Sequence, residues 1–148
     1  MGGMEASLPR TSVMFRRAVV LKCPHCGSHR NFIKRWVQRR DRCRTCGIGW
    51  HREHGFELGP TALNVVLTFF SLGVGMLIAF AVTLPDVPVA PLTVGFVAGA
   101  ILLPLVFQPF TCMIWLAFDL ATHKPDEGEL AAAAEFLEAS AGEIARKA

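Results

Sequence analysis

The chain has 148 residues, 52 % of them hydrophobic, with a formal net charge of +3 and a mean hydropathy of +0.40. Such a chain is too apolar for an ordinary soluble domain. The excess is concentrated in Thr61–Leu84 and Leu92–Phe118, neither of which carries a charged residue.

In chain order, residues 1–18 read as a flexible basic arm. Residues 19–58 read as a small β module built on Cys23-Pro24-His25-Cys26-Gly27 and Cys43-Arg44-Thr45-Cys46-Gly47, two Cys-x-x-Cys pairs with sixteen residues between them. Each pair turns tightly enough to aim two sulfurs at one point, and four thiolates suit a tetrahedral Zn2+. The spacing predicts a zinc ribbon with Cys23, Cys26, Cys43 and Cys46 as the ligands. Gly27 and Gly47 let the backbone turn after each pair. Asn31–Arg39 partly alternates and predicts a strand between the pairs, while Ile48 and Trp50 suggest its return.

His51 and His54 form a pair in the linker, and His25 and His29 flank the first knuckle. With four cysteines completing the shell, all four histidines read as polar surface or interfacial residues rather than ligands. Gly59-Pro60 marks the entry to the first apolar helix.

The two uncharged runs each exceed the roughly 20 residues that span about 30 Å of hydrocarbon as a helix. Joined by the short segment Pro85–Pro91, they predict a transmembrane helical hairpin over 59–120, with helices at about 61–84 and 92–118. Neither reads as a cleavable signal peptide, because the cysteine module precedes both. Residues 1–59 hold twelve of the fifteen Lys and Arg residues, and the connecting segment holds none. Positive flanks stay inside, so both termini are expected in the cytoplasm. There a reducing milieu keeps the thiols free to ligate.

Small and polar residues pattern the hairpin. An antiparallel alignment puts Gly75 and Ala79 at the depth of Gly99 and Gly95, and Asn64, Thr68 and Ser71 level with Trp115, Cys112/Thr111 and Gln108. Helices packed through glycines outward and a polar seam inward follow from that register. Gly95-x-x-x-Gly99 also offers a face for a homo-oligomer. Pro104 and Pro109 predict a bend around Leu103–Gln108, read as a static kink. Cys112 reads as a packing residue; a copper(I) relay through Cys112 and Met113 is the lesser alternative. Residues 121–148 form an acidic, alanine-rich tail in which Asp126-Glu127 can start a helix.

These elements resemble the bacterial "domain of unknown function 983" family. The likeness rests on Cys23-Pro24-His25-Cys26-Gly27, Cys43-Arg44-Thr45-Cys46-Gly47, the Gly59-Pro60 step, the late proline Pro109 and the exit His123-Lys124. It covers about residues 15–128. It implies a membrane location and a metal ribbon, with some relatives encoded beside respiratory oxidase assembly factors, and it names no reaction.

Three function classes follow. The leading one is non-enzymatic: a membrane-anchored zinc ribbon acting as a binding platform or assembly factor for an unnamed membrane protein. No nucleophile–base order, phosphate loop or carboxylate pair stands out, and a closed four-cysteine shell leaves no place for a catalytic water. The second is metal or electron handling in oxidase assembly, with iron in place of zinc. The third is nucleic-acid binding through Lys34, Arg35, Trp36, Arg39, Arg40, Arg42 and Arg44. Those bases are already accounted for by topology and by attraction to an anionic leaflet.

Overall fold

The computed structural model describes residues 9–29, 38–50 and 55–147. It is mostly helical: α1 (Thr11–Val19), α2 (Leu58–Thr83), α3 (Val89–Thr122) and α4 (Glu127–Lys147). Two long apolar helices and a cysteine cluster dominate it.

The expected arm over 1–18 is corrected in part, because Thr11–Val19 forms a helix that packs against α3. Met14 and Ala18, four residues apart, share its buried face. Arg16 and Arg17 in its last turn face the negative end of the helix dipole. The helix closes when Leu21 N–H bonds Ala18 C=O at 2.9 Å and Lys22 N–H bonds Arg17 C=O at 2.8 Å. That closure puts Leu21 in the left-handed region, φ 56°, a place glycine usually takes.

The first apolar run extends as α2 from Leu58 to Thr83 and the second as α3 from Val89 to Thr122. Both are long and apolar enough to cross a membrane. At 1.5 Å per residue α3 measures about 51 Å, well beyond the hydrocarbon thickness. The surplus lies at its C-terminal end. Along Val89–Val106 most large apolar side chains are exposed, whereas Thr111, Cys112, Met113, Leu116, Ala117 and Leu120 are buried. Those last turns form one core with Met14, Ala18, Cys23, Cys43, Ile48, Trp50 and Phe56. The cysteine module thus has an apolar core besides any ion, and α3 supplies five of its twelve buried residues.

Pro104 and Pro109 both lie inside one continuous helix rather than at a break. The helices run antiparallel, but in a different register from that expected. Asn64 Nδ2 donates to Gln108 Oε1 at 2.8 Å and to Pro104 C=O at 2.9 Å, so Asn64 is level with Gln108 and not with Trp115. Gly99 receives the Leu72 side chain and Gly75 the Phe96 ring. Large side chains seat on glycines here, where the alignment matches glycine with glycine, and the facing position moves by three residues at Gly75 and by seven at Asn64, about one and two turns. Asn64 bonds across the seam, whereas Ser71 and Thr111 bond carbonyls of their own helices. Gly95 faces open space.

Among the described residues there is no strand, only isolated bridge residues such as the antiparallel pair Arg42 and Gly49, so the expected β module is not shown. The expected strand over Asn31–Arg39 lies mostly outside the described residues, as do His51 and His54. In α4, a reciprocal cap starts the helix. Glu129 N–H bonds Asp126 Oδ1 at 2.6 Å and Asp126 N–H bonds Glu129 Oε2 at 3.2 Å. The helix folds back so that Ala133 is buried and its backbone lies against Gly47.

Candidate metal centre

Both knuckles fold by the same local rule. In the first, Cys23 N–H bonds Ser28 C=O at 2.9 Å and Gly27 N–H bonds Cys23 C=O at 2.8 Å. In the second, Cys43 N–H bonds Ile48 C=O at 3.0 Å and Gly47 N–H bonds Cys43 C=O at 2.9 Å. Each turn needs a residue in the left-handed region, and glycine supplies it: φ is +78° at Gly27 and +71° at Gly47. Past the second knuckle, Trp50 N–H bonds Asp41 C=O at 2.7 Å and closes the turn as a short hairpin.

The turns bring Cys23, Cys26, Cys43 and Cys46 together, all four Sγ atoms within 4.8 Å of one another. Cys23–Cys46 and Cys26–Cys43 are each 3.9 Å apart. Sulfurs placed tetrahedrally about 2.3 Å from a central ion are separated by roughly 3.8 Å, so the cavity between them has the size of one cation. A disulfide needs about 2.05 Å, far from any of these separations. Cys23 and Cys43 are buried and the other two partly so. The residues present therefore fit a metal ion, and the geometry suits zinc and iron alike.

Crowding sets the thiol acidities. Hydrogen bonds from Cys23, then Cys26 and Cys46, hold Cys43 far below its usual range. Cys26 is lowered to about 7, first by Cys23. Cys23 is pushed up by its hydrogen bonds with Cys26, then Cys43 and Cys46, and by burial. Thiols so arranged share protons with neighbouring thiolates, and a cation takes the place of those protons.

Arginines brace the knuckles, and the sequence reading missed this role. Arg17 of α1 donates through Nη1 to His25 C=O at 2.8 Å and Pro24 C=O at 3.3 Å. Arg42 donates to Gly47 C=O at 3.1 Å and lies 5.9 Å from the Phe136 ring of α4. The usable signal for Arg17 was the Met14/Ala18 spacing ahead of a basic last turn. Thr45 Oγ1 donates to Ser28 Oγ at 2.9 Å and links the two turns.

Of the flanking histidines, His29 is exposed as expected, while His25 is half-buried with Nδ1 enclosed and lacking a partner. Burial lowers the His25 pKa, and Arg17 adds to that. Cys112 stands apart from the four thiols. Arg39 Nη1 reaches it at 3.2 Å, while its Nη2 meets Glu57 at 3.5 Å and its guanidinium lies 5.0 Å from the Trp50 ring centre. Arg39 thereby ties the module to α3. Gly59 serves the same junction: a side chain there would overlap the Trp115 ring.

The model of the family described as "Protein of unknown function (DUF983)" matches residues 33–118, more than half of the chain. The chain belongs to this family. For this DUF983 member the matched stretch takes in the second knuckle and most of both apolar helices; Cys23 and Cys26 precede it. No curated protein and no solved structure gives a significant match.

Proposed function

We propose that this DUF983 protein is a non-enzymatic, membrane-anchored zinc module: a cytoplasmic platform that binds or helps assemble another membrane protein. The observation that carries this reading is the four-thiol group, packed on the inner turns of α3 and continuous through that helix with an apolar hairpin. A shell of four thiolates is a structural zinc arrangement and leaves no position for a catalytic water. The basic flanks of residues 1–59 support a cytoplasmic module, and a reducing compartment keeps the thiols available. In this reading the short loop after α2 is the outward end, in a bacterial inner membrane, and the four thiolates complete a ribbon-like module.

Purification of the full chain in mild detergent, with metal analysis and identification of co-purifying membrane proteins, tests the proposal. One zinc per chain is the expected content. A coloured, reducible preparation instead assigns iron and with it a role in electron or metal handling. Labelling of intact cells with an impermeant maleimide after chelation checks the side: Cys23, Cys26, Cys43 and Cys46 should stay unlabelled until the membrane is opened. Labelling in unopened cells would reverse the topology.

A further inference from the structure

Arg39, Arg40, Arg42 and Arg44 sit within six residues of chain and line one open cleft of about 570 Å³, with Asp41 and Phe136 completing its wall. The cleft is thus built from the second knuckle and α4, which the fold-back of α4 brings together. We propose that this cleft is a binding site for the phosphate group of an anionic phospholipid headgroup. The inference deepens the proposed function, since it rests on the module lying at the inner membrane surface.

Three observations carry it. First, the lining is strongly cationic: it presents four guanidinium groups and one carboxylate, and Arg39 also lies near Glu57. Glu57 meets Arg39 at 3.5 Å, too long for a tight fork. A guanidinium presents paired N–H donors that match two phosphate oxygens, which suits this lining to an oxyanion.

Second, the depth is right. Arg39 reaches the Cys112 sulfur, one turn inward of Gln108. There the side chains of α3 pass from exposed and apolar to buried in the module. An arginine at that transition is at headgroup level, where phosphates of the inner leaflet lie. Arg44 is exposed.

Third, the wall is mixed. Phe136 offers an aromatic ring beside Arg42, in keeping with a ligand that has an apolar portion next to its charge. A net-anionic lipid is favoured over a zwitterionic one, because the choline cation of the latter would sit among arginines.

Native mass spectrometry of the zinc-loaded full chain in neutral detergent, with phosphatidylglycerol or phosphatidylcholine added, tests the site. One phosphatidylglycerol should be retained saturably, in preference to phosphatidylcholine. The Arg40→Lys/Arg44→Lys variant keeps every charge but loses the planar fork, and should bind roughly tenfold more weakly with metal content unchanged. Non-saturating uptake that is the same in the variant would reduce the cleft to general charge attraction and overturn the proposal. Displacement of the lipid by inorganic phosphate at matching concentration would assign a soluble anion instead. Variant-sensitive binding of a thymidine oligonucleotide, with no lipid retained, would assign nucleic acid. Retention in detergent is read irrespective of topology, so a misplaced orientation shows in the maleimide experiment alone.

Discussion

The two knuckles have the same motif, the same pair of backbone hydrogen bonds and a positive-φ glycine at the same offset, yet different surroundings. Around Gly27 the nearest neighbour is the Arg17 guanidinium, the flexible end of a side chain on α1. Around Gly47 it is the backbone of Ala133 on α4. The first knuckle is held by a charge that can yield, and the second is clamped by a helix that cannot. Local sequence determines the turn, while distant elements determine how much strain it tolerates.

Metal removal is the largest perturbation of that comparison. Cys43→Ser removes a thiol of the four-cysteine group that is buried and strongly acidified by its neighbours, and the bound metal should be lost. Structural zinc contributes on the order of 10 kcal/mol in isolated small modules, but here Ile48, Trp50 and Phe56 also pack with Met113 and Leu116. Amide exchange should therefore rise by orders of magnitude over both knuckles while the C-terminal turns of α3 stay protected. Equal exposure of α3 would show that the ion, and not the apolar core, holds the module together.

Glycine substitution comes next. Alanine at either position incurs about 1 kcal/mol for a left-handed backbone. Gly47→Ala must in addition displace α4, at a further cost of about 1–3 kcal/mol; Gly27→Ala asks only that Arg17 move. Limited proteolysis in the α3–α4 connection should accelerate in Gly47→Ala and hardly change in Gly27→Ala. The opposite order would mean that α4 is not clamped on the second knuckle.

What the sequence disclosed follows the range of the forces involved. The knuckles were legible because Cys-x-x-Cys-Gly is a local geometric statement, and the apolar helices because length and lack of charge are local too. The start of α4 was legible in Asp126-Glu127, although its seat on Gly47 was not. The helix at Thr11–Val19 was hidden because its N-cap, Arg10, makes no side-chain cap bond and its end falls at Leu21 rather than at a glycine. The fate of the C-terminal turns of α3 was hidden for another reason: hydropathy scores lipid and protein interior alike. Cys112, Met113 and Leu116 looked membrane-embedded and are the floor of the cysteine module. Register failed because small residues can seat a large neighbour as readily as a small one.

The arginine braces test the comparison more gently. Arg17→Ala takes a charged donor from the carbonyls of Pro24 and His25, and Arg42→Ala takes one from Gly47. Each bond of this kind is worth about 1.5–3 kcal/mol when enclosed and less when wet. Arg17 is expected to matter more for its knuckle, because α4 still covers the second one when Arg42 is gone. Release of the bound metal to a competing chelator should quicken several-fold in Arg17→Ala and by less in Arg42→Ala.

The smallest effect belongs to the bond that joins the two turns. Thr45 Oγ1 and Ser28 Oγ meet at 2.9 Å on an exposed surface, where a neutral hydrogen bond contributes about 0.5–1.5 kcal/mol at most. If the knuckles are coupled chiefly through the shared ion, a double-mutant cycle of Thr45→Val and Ser28→Ala should give a coupling below about 0.5 kcal/mol with metal present. After chelation the ion no longer enforces the approach of the turns, and the same cycle should fall to zero as they separate. A coupling that persists without metal would mean that the protein scaffold itself preassembles the site, with α1 and α4 holding the sulfurs in place before the ion arrives.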